Sequence, residues 1–509
     1  MTGPLWMEGR VPPECDALPR STGEAIDTIV VGAGITGLCT ALMLLRAGQR
    51  VVVLEARHPG AVTTGHTTAK VTALHGGRAG TILRRHGPEV AQAYVRANAD
   101  ALEWLVRLCN GLGVDMQARR AVTYAQTTAG KVQLEDDLRV LEAAGQPAVS
   151  LGPGSLEVPF PFAGAVGLEA QRQFDPMDFV SAAVAEVRRL GGTVVAGARV
   201  LGVSSTGTPT VRIGPGRQEP GTGNQPGPSQ LQARRVVMAT GIPTLLRGLI
   251  FTRVLPERSY ILAYRRVLPG TTELPRDMLI SVDGVRRSLR TTTSPDGAER
   301  LLVGGASHTV GRDSGTVPQA ELRAWAKRMF PGLMETHAWS AQDYSPVGGL
   351  PMAGPLGVSG RGANPVLFAS GFAKWGMTNG VAAAMQLARL CVGGPTEDTA
   401  PSLEWAGRLY GRHLDLEEVG ETARLNAGIA SRWFAGSVQR TTPRCTHLGG
   451  RLRWNAVEQS WDCPLHGSRF APDGCLLEGP ATRNLPPRPH NQPPAPADSD
   501  GGPAHSGTP

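Results

Sequence analysis

The chain has 509 residues, more than one small domain needs and enough for two or three. Gly (65) and Pro (41) are abundant, yet the 41% of apolar residues supplies a large core and excludes a chain disordered throughout. The net charge of +8 comes from basic residues dispersed along the chain with no basic run, which argues against nucleic acid as a partner.

Residues 1–26 read as a loose leader: they carry Glu8, Glu14, Asp16 and Glu24 and lack the charged-then-apolar pattern of an export signal. The longest apolar run, Thr28 to Leu45, approaches membrane length but is interrupted by Gly32, Gly34 and Gly37. It divides into a strand, a tight turn and a helix better than it forms a spanning helix. Seven cysteines in a chain this long suggest no disulfide framework. A cytoplasmic protein without an integral membrane segment is the expectation.

The turn within that run reads Gly32-Ala-Gly34-Ile-Thr-Gly37. Gly32 permits the turn, Gly34 lets backbone amides approach a pyrophosphate, and Gly37 lets the helix pack on the strand. The helix N-terminus favours the negative charge. The next strand, Arg50 to Glu55, ends in an acid 21 residues beyond Gly34, where a carboxylate accepts hydrogen bonds from ribose hydroxyls. The pattern occurs once, at the start of the folded chain, which favours one tightly held FAD over an NAD site. Helical stretches follow around Ile82–Gly111. The Gly/Pro/Ser-rich segment 204–232 reads as a flexible hairpin insertion whose apolar flanks belong to one sheet. No internal repeat is visible, and residues 485–509, with eight prolines, read as a disordered tail.

Several stretches together resemble the D-amino-acid-oxidase-like FAD-dependent oxidoreductases, in particular those fused to a C-terminal Rieske domain. They are Gly65–Thr72 (GHTTAKVT), Gln173–Pro176, Val236–Gly241, Trp339–Tyr344 and Gly371–Gly380. The resemblance implies that the first stretch, with Thr68 and Lys70, passes near the flavin ring. It places the Ala239–Gly241 turn beside the cofactor and closes the last stretch, with Gly376 and Thr378, over the FAD at a helix N-terminus. Amides near Gly376 and Gly380 would stabilise negative charge on a reduced flavin. Lys70 and Lys374 are two of only four lysines. Lys70 is the candidate catalytic group, able to hold a water or stabilise an anionic ring, against the alternative of a surface lysine. Similar proteins often carry an acid before the "LP..G" segment, where this chain has Val347-Gly348-Gly349-Leu350-Pro351. Arg258, Tyr260, Tyr264 and His308 are candidates for a substrate carboxylate, with packing roles as the alternative.

Near the end, Cys445-Thr-His447 is followed after 15 residues by Cys463-Pro-Leu-His466. Two Cys and two His suit tetrahedral zinc, although zinc loops usually begin with paired cysteines. One Cys and one His per loop fits a [2Fe–2S] cluster with both thiolates on one iron and both imidazoles on the other. The flanks, Leu448-Gly449-Gly450 and Gly467-Ser468-Arg469-Phe470, resemble the two Rieske loops. Quinol-oxidising Rieske proteins carry a disulfide at the places of Gly450 and Leu465 and a Tyr at Phe470, so fewer hydrogen-bond donors surround this cluster and its potential is expected to be low for the class. Only about 48 residues, too few for a strong core, support the loops. The flavoprotein body is therefore expected to dock against Trp454, Trp461 and Phe470.

The reading is an α/β FAD-binding, Rossmann-like fold of D-amino-acid-oxidase and glutathione-reductase type, with an α+β substrate domain and a small all-β Rieske-like module. The FAD-binding parts fall at about 27–77, 165–245 and 340–395 and the substrate parts at 78–164 and 246–339. A linker at 426–440 joins this oxidoreductase, 27–425, to a truncated Rieske-like domain at 441–484. The expected function is oxidation of a small amine or hydroxyl substrate, with electrons passed from FAD to the cluster and on to a redox partner protein. The alternatives are a flavin oxidase using O₂ with a degraded cluster motif, and an electron-transfer or redox-sensing protein without substrate turnover.

Overall fold

The apolar runs Ile26–Val31 and Val51–Leu54 form adjacent parallel strands of the first sheet. The computed structural model describes residues 3–19, 25–204, 207–216, 227–267, 273–294, 297–312, 316–357, 364–412, 415–435 and 442–487. The sheet order is Met352–Pro355, Val366–Ser370, Ser229–Met238, Ile26–Val31, Val51–Leu54, Thr193–Val195. All neighbours are parallel except the first pair. Strands buried on both faces must be apolar throughout, which is why these segments read as unbroken Val/Ile/Leu runs. Helices Ile35–Arg46 and Gly376–Val392 pack together on one face of this sheet. Residues expected as a flexible hairpin are in part regular: Thr210–Pro215 is a strand pairing with Ala198–Ser204 and with Ser229–Gln232, while 205–206 and 217–226 lie outside the described residues.

The second sheet is mostly antiparallel and runs Leu333–Pro346, Val254–Arg266, Glu299–Thr309, Arg287–Thr293, Met278–Ser281, Met116–Ala125, Gly164–Phe174, Lys70–Val71. Helix Thr316–Met329 seals one side through Leu322 and Ala326. The third sheet has four short antiparallel strands, Arg453–Asn455, Ser460–Asp462, Arg469–Phe470 and Leu476–Glu478. Among the described residues no helix is long and apolar enough to cross a membrane.

Three boundary expectations are corrected. Residues 3–19 are packed, because burying Leu5 and Trp6, each 1% exposed, holds the segment down. Trp6 Nε1 donates to the Thr67 carbonyl at 2.8 Å, Arg10 pairs with Asp175 and Asp178, and Asp16 bonds Val194. Residues 426–435 are the second half of helix Leu416–Ala435, not a linker. That helix starts at a reciprocal cap, Asp415 N–H to Glu418 and Glu418 N–H to Asp415. It continues because Leu425 and Ile429, four residues apart, pack on the core of the third sheet. Leu485 is 5% exposed and its N–H bonds the Gly474 carbonyl, so the module passes 484; the expected tail from 488 onward lies outside the described residues.

The wall missing from the small module is supplied by that helix and by the oxidoreductase body. Trp454, Trp461 and Phe470 belong to the module's own core with Leu425 and Ile429, while the body docks elsewhere. Arg258, fully buried, lies 3.5 Å from both Glu458 and Glu478 and 4.0 Å from Asp462. Arg469 pairs with the same three acids at 3.0–3.4 Å. A buried charge that loses its partner is far costlier than the pair is worth. Arg258→Met should therefore destabilise the protein by about 3–5 kcal/mol, read by urea unfolding followed at the module's tryptophans. A loss below about 1 kcal/mol, the range of a surface pair, would show that the network does not hold the module.

Candidate functional site

A cavity of about 510 Å³ opens between the first two sheets. At one end the strand–turn–helix places Gly32 and Gly34 on its wall. Gly32 has φ +106°, and a Cβ there would meet the Ala239 carbonyl at 2.5 Å. A Cβ on Gly34 would meet Thr64 Oγ1 at 2.9 Å, and that hydroxyl accepts the Ile35 N–H. Gly37 is off the wall, where a Cβ would strike the Gly32 carbonyl at 1.9 Å, so its role is helix–strand packing. Glu55 lines the cavity with its carboxylate fixed by the amides of Ala33 and Arg57, both at 2.9 Å. This cradle of amides and one carboxylate, with no room for side chains at Gly32, fits an FAD pyrophosphate and ribose.

Farther along, Thr68, Lys70, Gly241 and Gly376 also line the cavity. The Thr68 and Ala69 carbonyls accept hydrogen bonds from Arg290, whose guanidinium lies 5.2 Å from the Trp6 ring. The leader thus buttresses the loop expected near the flavin. Thr378 lies behind the wall, donating to the Thr72 carbonyl and bonded to His75. His75 in turn stacks on Trp375 with ring centroids 4.4 Å apart, and both line the cavity. Burial lowers the His75 pKa to about 3, so the ring is a neutral spacer. No short motif in the sequence marks it.

Lys70 Nζ donates to the Leu279 carbonyl and to Ser288 Oγ, both at 2.6 Å. Burial, and secondarily Arg290, pushes its pKa well below the ordinary lysine value. These two acceptors hold Nζ in place on the cavity wall. Lys374 bonds Ser307 and offers its amide to Asp343. Burial raises Asp343 to about 6 against the lowering by the Lys374 and Tyr344 amides. Of the four carboxylate-binding candidates only Tyr260 lines the cavity. Arg258 is committed to the module, Tyr264 bonds Glu335, and His308 stacks on Tyr260.

The second centre is built from two matching loops. Cys445 N–H bonds the Gly450 carbonyl and Gly449 N–H bonds Cys445; Cys463 N–H bonds Ser468 and Gly467 N–H bonds Cys463. Both cysteines and His466 are buried, and the His447 and His466 rings stand 5.2 Å apart at 82°. The Cys463 thiol lowers Cys445 and remains the protonated partner. Burial lowers both histidines to about 4, and His447 Nδ1 is buried with no hydrogen-bond partner among the described residues. Apposed sulfurs, neutral imidazoles and an orphaned ring nitrogen fit a [2Fe–2S] cluster held by Cys445, His447, Cys463 and His466. Leu465 fills the place of the missing disulfide, since a Cβ on Gly450 would meet it at 2.5 Å. The Ser468 hydroxyl lowers the Cys445 thiol and accepts the Ala481 N–H.

The two centres share a wall. Gln342 lines the cavity, accepts from Arg258 at 2.7 Å and donates to the Gly467 carbonyl, next to His466, at 2.9 Å. A Cβ on Gly467 would meet Pro256 at 2.6 Å, so only glycine lets the loop approach this closely. Leu477, Glu478, Gly479 and Ala481 of the module also line the cavity. Phe251 lies edge-on to both histidine rings, at 4.9 and 4.7 Å.

A family model described as FAD dependent oxidoreductase matches residues 27–390, and one described as Rieske [2Fe-2S] domain matches residues 424–489. The chain is 27% identical over 516 residues to the provisionally named Rieske 2Fe-2S iron-sulfur protein YhfW of Bacillus subtilis (strain 168), covering 94% of this chain and 96% of the relative. Over 74 residues, 13% of this chain and 42% of the relative, it is 57% identical to cytochrome b6-f complex iron-sulfur subunit 3 of a Nostoc species. Among solved structures, L-proline dehydrogenase from P. horikoshii has a TM-score of 0.58 at 17% identity, covering 75% of this chain and 97% of that one. Glycine oxidase from Geobacillus kaustophilus has a TM-score of 0.58 at 18% identity, covering 76% and 99%. Both share the fold of the oxidoreductase part. Because Gly34 leaves the cradle open, Gly34→Val should give folded protein without flavin, read by visible absorbance and native mass; full flavin occupancy would contradict the assignment.

Proposed function

The chain belongs to the FAD-dependent oxidoreductase family and ends in a Rieske [2Fe-2S] domain, and on that premise we propose that it oxidises a small amine or hydroxyl substrate and relays the electrons through the cluster. When bound, FAD supplies a two-electron acceptor for a C–N or C–O bond and the cluster supplies a one-electron site. Gly32, Gly34 and Glu55 hold the dinucleotide part, while Thr68, Gly241 and Gly376 set the ring end. Thr378 acts behind them by fixing His75 and thus Trp375. Lys70 lines the cavity, and its Nζ is the atom that takes a proton or orients a water during substrate oxidation. Cys445, His447, Cys463 and His466 hold the iron.

The observation that carries the relay is the Gln342 side chain, which lines the cavity and donates to the Gly467 carbonyl beside His466. One hydrogen bond thus joins the cavity wall to the loop that carries His466, which supports a direct path for the electron. Anaerobic addition of substrate should bleach the flavin and then produce the rhombic signal of the reduced cluster. Bleaching that never reaches the iron, with rapid reoxidation by O₂, would replace this reading by an oxidase; no bleaching across amines and hydroxy acids would replace it by an electron-transfer protein.

Lys70→Met should lower the substrate-oxidation rate by about 10²-fold or more, the usual size of general acid–base effects, with flavin content unchanged. The wild-type rate should rise with pH through a pKa well below that of ordinary lysine, as the ammonium loses its proton and the lone pair appears. That limb should vanish in the variant. An unchanged rate and profile would remove Lys70 from the chemistry.

A further inference from the structure

An electron that reaches the cluster must leave it, and the surface around the first ligand loop is built differently from the rest of the protein. Cys445, Cys463 and His466 are 3%, 2% and 4% exposed, whereas His447 is more open and its neighbour Leu448 is 41% exposed. Phe251 covers both histidine rings, and the loop leading to it presents Leu246 and Leu249, 52% and 56% exposed. The start of this loop borders the module at Gly479, beside Thr244. Exposed leucines thus gather where the cluster ligands come closest to solvent.

Arginines rim the same place. Arg444 and Arg451 pair backbone to backbone across the first ligand loop, and the Arg483 carbonyl accepts the Thr446 hydroxyl at 2.7 Å. Residues 241–253, 442–453 and 481–487 contain no Asp or Glu. Along the sequence these arginines look dispersed; folding brings their segments together.

We infer that this face is the electron-exit site and docks a small one-electron carrier protein with an acidic surface. The inference rests on the relay reading above and names its partner. Three leucines within an arginine rim suit a small, transient interface of under about 1,200 Å², the class typical of redox encounters. Complementary charge steers the encounter and sets its salt dependence. Each encounter oxidises the iron–sulfur site by one electron and reduces one ferric haem of the carrier to ferrous; no proton or group crosses.

Calorimetry on the full-length holoprotein, with both proteins oxidised, tests docking apart from turnover. The probes are an acidic and a basic c-type cytochrome, with phosphatidylglycerol vesicles alongside. The acidic cytochrome should bind, more weakly as salt rises, and the basic one should not. Leu246→Ser and Arg483→Glu should each weaken binding by about tenfold, as loss of a central apolar or complementary rim contact does, while dithionite-reduced variants keep the normal cluster signal. Absence of binding by the acidic cytochrome, unchanged affinity in both variants, or binding to the vesicles in place of the cytochrome would overturn the proposal. If the carrier binds but substrate never reduces the cluster, the docking face stands and the relay reading fails.

Discussion

Five charged side chains buried at one junction set the geometry of the molecule. Arg258 from the oxidoreductase body and Arg469 from the small module meet Glu458, Asp462 and Glu478. None of these acids tolerates burial alone, and Arg469 cannot neutralise three. The module is therefore complete only when Arg258 is in place. A buried ion network contributes little net stability but has few acceptable geometries, so here it fixes register between two folding units. Glu478 belongs to this network and to the cavity wall at once, and Gln342 bonds Arg258 and Gly467 at once. The docking contact and the wall between the redox centres are the same atoms.

This explains how so short a module can exist. Four strands of two or three residues cannot bury enough apolar surface to stabilise themselves. Their core is completed by Leu425 and Ile429 of the helix preceding the first ligand loop. The histidine side is closed by Phe251, which takes the place of solvent against both rings. The body does for these loops what additional strands do in a larger domain.

What the sequence reveals and hides follows the range of the interactions. The Gly32–Gly37 turn and the two Cys/His loops are local: their backbone geometry and ligand spacing are written in consecutive residues. Lys70 is also legible as a rare lysine in a motif, although its burial and its anchors, Leu279 and Ser288, come from another strand pair. The leader looked loose because two large side chains, Leu5 and Trp6, carry no period; their partners, Thr67 and Arg290, are remote. The helix through 426–435 is hidden in the sequence because its apolar positions face a module that follows it in the chain. Arg258 looks like an anion site in the sequence, and the acids that claim it lie some two hundred residues away. Gln342 sits in a stretch that the resemblance marks, yet nothing local tells of its bonds to Arg258 and Gly467, and His75 has no local signal.

On the proposed relay, cavity and cluster form one fixed unit, and electrons pass from flavin to iron with no domain movement. Stopped-flow reduction by substrate, with cluster reduction followed at increasing glycerol concentration, tests this most directly. A docked module predicts a single phase of cluster reduction whose rate does not change with viscosity. A rate that falls in proportion to viscosity would show that the module must swing to its donor, contradicting the account.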